Sequence, residues 1–163
     1  MIAHATVATE SDKSNNHYEV IKGSLDVLSR STSSFAVRNE EMRALYTLTP
    51  FTEYRIKCYK PWHQRTLDVV VNNTDLIRNF VGFQPHVASI NLCKGVRFLS
   101  DDTSSIQQKP CNSYESGAGL YNHPFFISYQ EHTHIQDVNR MECDDYVEYS
   151  GFRSVGEWWY YVR

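Results

Sequence analysis

The sequence contains no run of about 20 apolar residues, which is the length that a membrane-spanning helix needs. Its first residues, 1–17, are polar and lack the apolar stretch of about 7 to 15 residues that is typical of a signal peptide. If the protein is secreted, we therefore expect this chain to be a processed or shortened form. These absences argue against a membrane span.

The chain also has no large excess of positive or of negative charge, since the formal net charge is -3 and the isoelectric point is about 6.1. A protein that binds a phosphate backbone normally gains affinity from a basic surface that releases counterions. Nucleic acid is therefore an unfavourable partner for this chain.

Local catalytic motifs are absent as well. The chain has no nucleophile elbow, no zinc-protease motif of the H-E-x-x-H type, no phosphate-binding loop and no dinucleotide-binding glycine motif. It also has no internal repeat and no low-complexity tract, which excludes solenoid and fibrous classes. A catalytic triad dispersed along the chain leaves no local motif. The sequence therefore does not decide whether the protein is an enzyme, and it assigns no catalytic residue.

Aromatic and apolar residues are plentiful, at 13% and 41% of the 163 residues. A chain of this length fits one domain with one core, and aromatic residues favour the half-buried surface of a sheet. We predict a mobile leader over residues 1–17 and a single globular domain over 18–163. The predicted fold is mainly β, an antiparallel β-sandwich or distorted barrel with one or two short helices.

The clearest strand pattern is at residues 53–60, where apolar and polar residues alternate strictly. A turn over residues 61–64 leads to a second alternating segment, 65–71. We predict that the two segments are adjacent antiparallel strands of one hairpin. The side chains predicted to face inward are Tyr54, Ile56, Cys58, Leu67, Val69 and Val71.

Two short helices are predicted from capping residues. Asn39 is suited to cap a helix over residues 40–46, and Thr74 to cap a helix over 75–81 that Gly82 ends. Further strands are predicted at residues 96–99, 124–130, 146–149 and 158–163. The last of these is aromatic on both faces, which favours a position inside a sheet.

The four cysteines are Cys58, Cys93, Cys111 and Cys143. An even number favours disulfides, and four cysteines allow three connectivities. Cys93 and Cys111 flank a polar loop, so we favour a local bridge between them and a second bridge from Cys58 to Cys143. The alternatives are free buried thiols or a zinc site, although the C-x-x-C spacing of such a site is absent. Together with a glycosylation sequon at Asn72, the cysteines predict an extracellular protein.

A candidate metal site contains His132 and His134, which would share one face of a strand. The third ligand could be His63, His86 or His123, but nothing in the spacing places them nearby. The alternative is an ordinary polar strand face with two surface histidines. The sequence leaves any cofactor unidentified.

Two acidic pairs, at residues 101–102 and 144–145, could supply oxygen ligands to calcium. Their spacing matches no EF-hand, because the alternate carboxylates and the central glycine are missing. Loop carboxylates are more commonly solvated or act as capping groups.

Three aromatic residues outside the predicted strands, Trp62, Tyr114 and Tyr121, are the candidate ligand-binding residues. Exposed aromatic rings stack on sugars or anchor protein partners, whereas the alternative is that these rings build the core. The leading interpretation is an extracellular, non-enzymatic binding or matrix-interaction module with a carbohydrate or protein partner. The alternative is a metal-binding protein or metal-dependent enzyme built on His132 and His134.

Overall fold

The computed structural model describes residues 1, 3–7, 19–21, 35–37, 39–80, 95–105, 107, 124–127, 131–134, 143–146 and 155–163. In chain order, the strands are β1 (Ala3–Val7), β2 (Glu19–Ile21), β3 (Phe35–Val37), β4 (Tyr54–Lys60), β5 (Arg65–Val71), β6 (Val96–Phe98), β7 (Pro124–Ile127), β8 (Glu131–His134), β9 (Asp145–Tyr146) and β10 (Gly156–Val162). Two helices, α1 (Asn39–Leu48) and α2 (Thr74–Phe80), lie between them in the chain.

The described strands form two sheets. The larger sheet has the order β2-β3-β1-β10-β4-β5-β6, and the smaller one has the order β7-β8-β9. All neighbouring strands are antiparallel except β2 and β3. The strands β10-β4-β5-β6 form the four-stranded antiparallel unit that carries most of the core.

The larger sheet is open, since β2 and β6 are its two edges within the described part of the chain. The distorted barrel is therefore not the arrangement that forms. Packing of the two sheets face to face as a sandwich stays a prediction.

The hairpin of β4 and β5 has the predicted position and pairing. Its register runs without a break from Tyr54 opposite Val71 to Lys60 opposite Arg65. Along β4, buried and half-buried residues alternate, because one face contacts the core and the other carries charged groups. The antiparallel hairpin predicted from the sequence is confirmed.

Strand β5 departs from simple alternation, since every residue from Leu67 to Val71 is buried. Asp68, which alternation would place on the solvent side, has no exposed side-chain area because Arg55 and Lys57 cover its carboxylate. The salt bridges thus bury Asp68 on the second face of β5, where Val70 is also buried.

The core lies between this sheet and the two helices. Trp158 is 1% exposed and lies on β10 opposite Cys58 of β4. The core also contains Met42, Phe51, Tyr54, Ile56, Leu67, Val69, Val71, Ile77, Cys143 and Tyr160. Burial of this set is the main favourable contribution to folding.

Strand β10 lies between β1 and β4, so the carboxy-terminal aromatic segment is inside the sheet as expected. Packing at its start is tight. A Cβ atom added to Gly156 would lie 2.7 Å from the carbonyl oxygen of Tyr59 and 3.0 Å from the ring of Trp158. Glycine lets β10 approach β4 at this point.

The amino-terminal segment contributes a strand. Ala3–Val7 pairs with residues 156–160 of β10, although this segment falls within the leader predicted over residues 1–17. Its apolar residues Ala3, Ala5 and Val7 alternate with the polar residues His4 and Thr6, a short strand period inside the segment predicted to be a leader. The division of the chain at residue 17 stays a prediction.

Helix α2 has the predicted position, but its cap is one residue earlier than Thr74. The side chain of Asn73 accepts a hydrogen bond from the amide of Asp75 at 2.9 Å, and its carbonyl accepts one from Ile77 at 3.0 Å. These two bonds define Asn73 as the N-cap. The predicted stop at Gly82 lies outside the described residues. Neither described helix is long and apolar enough to cross a membrane.

Candidate functional site

A disulfide joins Cys58 of β4 to Cys143, which immediately precedes the buried Asp144. The bond connects residues that are 85 positions apart, with a Cα to Cα distance of 6.2 Å. Both cysteines are fully buried. This is the pairing that the sequence analysis favours, and it links the central hairpin to the start of β9.

Beside the disulfide, the carboxylate of Asp144 is buried and fully hydrogen-bonded. One oxygen contacts Arg65 Nε at 2.5 Å and the amide of Ser105 at 2.8 Å. The other accepts the Ser105 hydroxyl at 2.5 Å, and Arg65 Nη2 also donates to the Asp144 carbonyl at 2.7 Å. Because Asp144 has no exposed side-chain area, these contacts replace its water.

The backbone of Asp144 has a φ of 53°, in the left-handed region that aspartate tolerates better than most residues. The turn directs its side chain to Arg65 and Ser105. Arg65 begins β5, so the same residue ends the hairpin turn and neutralises the buried carboxylate. The disulfide and this ion pair therefore hold residues 143–144 against the hairpin.

His63 lies in the hairpin turn and has both ring nitrogens in hydrogen bonds. Its Nδ1 accepts the amide of Arg65 at 3.0 Å, and its Nε2 lies 3.1 Å from the carbonyl oxygen of Cys143. A carbonyl only accepts, so Nε2 carries the proton and the ring is neutral. Burial, followed by the positive charge of Arg65, lowers the pKa of His63 to about 4.

These two hydrogen bonds argue against the metal-ligand role predicted for His63. His63 is one of the three histidines proposed from the sequence as a third metal ligand, but both of its ring nitrogens already have partners. His63 instead supports the turn structurally. The other two histidines considered, His86 and His123, lie outside the described residues.

Trp62 precedes His63 in the turn and is 36% exposed, a large fraction for a tryptophan. Its ring lies against the imidazole of His63, with 4.7 Å between the ring centroids and 58° between the planes. Gln64 closes the turn with a φ of 56°, and its amide donates to the Lys60 carbonyl at 2.9 Å. An exposed aromatic ring is thus supported by a histidine that is itself fixed by two hydrogen bonds.

Asp101 and Asp102, the first acidic pair, lie beside β5. The Asp102 carboxylate accepts the amide of Asp68 at 2.7 Å, together with the amide and hydroxyl of Ser104. Burial raises the pKa of Asp102, and these hydrogen bonds lower it in part. Its neighbour Asp101 is exposed and pairs with Lys57 at 3.3 Å.

The two acidic pairs therefore approach each other through consecutive serines, since Asp102 contacts Ser104 and Asp144 contacts Ser105. Both carboxylates accept hydrogen bonds from protein groups. Among the described residues, no group of three or more histidine, cysteine, aspartate or glutamate residues is arranged to hold a metal. Because its carboxylate accepts backbone amides, Asp102 acts as a capping group, which is the alternative to a calcium ligand.

The smaller sheet contains the two histidines of the candidate metal site. His132 and His134 occupy alternate positions of β8, the middle strand between β7 and β9. In the register, His132 lies opposite Ile127 of β7 and opposite Asp145 of β9. The face that the two histidines share, and the metal site built on it, stay predictions.

Several other candidate residues have different outcomes. Asn72 of the sequon is exposed, directly after β5. Tyr114, Tyr121, Cys93 and Cys111 lie outside the described residues, so their predicted roles stay predictions.

Sequence reasoning did not identify the interaction of Arg65, His63 and Asp144. One available signal was the position of Asp144 beside Cys143, because the expected bridge from Cys58 would bring it near the basic start of β5. An aspartate buried there requires a cation, and Arg65 is the first residue after the turn.

No protein-family model matches the chain, and no curated protein or solved structure is significantly similar to it.

Proposed function

We propose that this chain is an extracellular, non-enzymatic binding module that uses Trp62 as a contact residue. The observation that carries the proposal is the presentation of Trp62 at 36% exposure on a turn whose next residue, His63, has both nitrogens hydrogen-bonded. A rigid aromatic ring loses little conformational entropy when it binds.

The surroundings of Trp62 are consistent with a contact surface. Pro61 and Gln64 on either side of the turn are exposed, and His63 is half-buried. A flat apolar ring among polar groups suits either stacking on a sugar or anchoring a protein loop. Tyr114 and Tyr121 are proposed as further contact residues.

The extracellular part of the proposal is supported by the disulfide between Cys58 and Cys143 and by the exposed sequon residue Asn72. Disulfides persist in oxidising compartments and are rare where thiols are kept reduced. A glycan on Asn72 is proposed on the same basis.

The test is binding of the disulfide-intact protein to a glycan array and to a panel of purified matrix proteins. The Trp62→Ala variant should lose about tenfold or more in affinity for any ligand found, since a central aromatic commonly contributes about 2 kcal/mol. The matched control is Leu48→Ala, which removes a side chain that is 83% exposed on α1. Equal binding by wild type and Trp62→Ala would contradict the proposal.

A second candidate function is metal binding through His132 and His134. The observation that favours it is their placement at alternate positions of β8, a spacing that sheets commonly use for paired metal ligands. Stoichiometric zinc or copper that is lost in a His132→Ala, His134→Ala double variant would establish it. The absence of bound metal in the wild-type protein would remove it.

A further inference from the structure

We infer that one face of the larger sheet binds an uncharged polysaccharide, with Tyr59 of β4 and Trp159 and Tyr161 of β10 as stacking residues. This outer sheet face consists of Arg55, Lys57, Tyr59, Glu157, Trp159 and Tyr161. None of the three rings belongs to the turn that carries Trp62, so the site is additional to the function proposed above.

The outer sheet face is the side of β4 and β10 opposite the core. Buried and half-buried residues alternate along both strands, and the buried apolar ones belong to one cluster with Met42 of α1 and Ile77 of α2. Because successive side chains along a strand point to opposite sides, the half-buried residues lie together on the other side. The side chains of Arg55 and Lys57 are 35% and 26% exposed there, so a ligand can reach them.

The strand register places a charged side chain opposite each of the three rings. The opposing pairs are Tyr161 with Arg55, Trp159 with Lys57, and Tyr59 with Glu157. Residues directly opposite in an antiparallel pair share a face, with their Cβ atoms about 4.5 to 5.5 Å apart, and residues two apart in one strand are separated by about 7 Å. The outer sheet face therefore has aromatic rings and charged groups side by side on neighbouring strands.

The two cations of this face are balanced by two carboxylates. Arg55 donates to both carboxylate oxygens of Asp68, at 2.8 and 2.6 Å, and Lys57 Nζ lies 3.5 Å from Asp68 and 3.3 Å from Asp101. The guanidinium carbon of Arg55 also lies 5.3 Å from the ring centroid of Tyr161. These contacts fix the polar groups before a ligand arrives, which reduces the ordering cost of binding.

The balance of charge indicates the class of ligand. A polyanion gains affinity from an excess of cations, which this group of four charges does not have. A sugar without charge presents hydroxyl groups that both donate and accept, together with an apolar C–H face that stacks on an aromatic ring. Three rings on two adjacent strands suit a chain of sugars better than a single sugar.

Affinity electrophoresis of the disulfide-intact protein tests the inference. The gels contain hydroxyethylcellulose, arabinoxylan or galactomannan as uncharged polysaccharides, and heparin as a polyanion. At least one uncharged polysaccharide should retard wild type, and calorimetric titration should give the same affinity for it at low and high salt, because salt screens only interactions between charges. Retardation by heparin alone, or by none of the four, would overturn the inference.

Tyr161→Ala is the variant that tests the stacking role. It should raise the dissociation constant for the polysaccharide about tenfold or more, as expected for an aromatic contact residue. Tyr161→Phe keeps the ring and should bind more tightly than Tyr161→Ala. Equal losses in the two variants would contradict stacking on the ring.

The matched control is Leu48→Ala, which removes an 83% exposed apolar side chain from α1 and should leave the affinity for the polysaccharide unchanged. Trp62→Ala separates this site from the function proposed above. Loss of polysaccharide binding in Trp62→Ala, with full binding in Tyr161→Ala, would place the ligand at the turn and overturn the inference alone. Binding of a matrix protein through Trp62, without any polysaccharide binding, would also overturn only the inference.

A measurement on wild type covers the case in which Tyr161→Ala does not fold. Nuclear magnetic resonance of isotope-labelled protein, titrated with a hexasaccharide of the polysaccharide that binds, should shift the amide signals of residues 55–59 and 157–161. Shifts confined to other residues would contradict the assignment of the site.

Discussion

His63 is the residue whose protonation most directly affects the hairpin turn. Its pKa of about 4 lies below the ordinary value of 6.5 because the folded protein buries the ring and places Arg65 beside it. Protonation would also remove the acceptor that the Arg65 amide uses. The folded state therefore favours neutral His63.

This shift predicts how stability depends on pH. Between pH 6.5 and 4 the unfolded chain takes up the His63 proton before the folded chain does, so the contribution of His63 to stability is complete above pH 6.5 and falls as pH decreases towards 4. A pKa lowered from 6.5 to about 4 corresponds to about 3 kcal/mol, and solvent screening of the half-buried ring reduces the expected loss to roughly 2 kcal/mol.

Urea denaturation at a series of pH values measures this loss. The control is His63→Gln, whose side chain does not titrate, and its stability should fall less than that of wild type across the same interval. Parallel curves for the two proteins would show that His63 titrates at an ordinary pH.

Asp144 gives a second prediction for a single residue. Asp144→Asn removes the charge that Arg65 neutralises, and it leaves the guanidinium without its carboxylate in a partly buried setting. We expect a loss of about 3 kcal/mol in the free energy of unfolding, in the range for a broken buried ion pair. The midpoint of chemical denaturation measures it.

Asp101→Asn is the matched control for that variant. The side chain of Asp101 is 64% exposed and pairs with Lys57 at 3.3 Å, and exposed pairs contribute about 0 to 1 kcal/mol. Similar losses in the two variants would contradict the importance assigned to the buried pair.

These residue interactions could be predicted from the sequence only in part. The exposure of Trp62 followed from its place in a turn, with core burial as an equal alternative. The contacts of Asp144 had only an indirect signal, the expected bridge from Cys58 to the neighbouring Cys143, because its partners Arg65 and Ser105 are 79 and 39 positions away. Only the fold brings these groups together.

At the scale of elements, the residue that caps helix α2 differs between the sequence prediction and the structure. The structure assigns the cap to Asn73, whereas the sequence pattern favours Thr74. Asn73→Ala should cost about 1 kcal/mol because the amide of Asp75 loses its acceptor. Thr74→Ala should change stability by much less.

Both variants are to be compared by thermal denaturation in unglycosylated protein, since Thr74→Ala also removes the sequon of Asn72. A larger loss in Thr74→Ala than in Asn73→Ala would restore the cap predicted from the sequence.

The hairpin of β4 and β5 was predictable because a half-buried strand imposes a period of two on its residues. Strand β1, which pairs with β10, was not predicted, because the alternation of its apolar residues covers only five residues and lies in an otherwise polar segment.

At the scale of the whole molecule, the disulfide between Cys58 and Cys143 joins the central hairpin to the smaller sheet through residues 143–146. Closing a loop of 85 residues reduces the entropy of the unfolded chain, which in the chain-entropy model stabilises the fold by about 4 to 5 kcal/mol. The turn that presents Trp62 and the start of β9 both depend on this connection. Reduction should therefore lower the melting temperature strongly.

The most direct measurement is a tryptic peptide map of the unreduced protein, produced in an oxidising compartment, after free thiols are blocked. Cleavage after Lys and Arg, except at Lys60 because Pro61 follows it, places Cys58 in residues 58–65 and Cys143 in residues 141–153. We predict that these two peptides are recovered as one disulfide-linked species that separates on reduction. Recovery of the two peptides separately with blocked thiols, or of Cys58 linked to Cys93 or Cys111, would contradict the account.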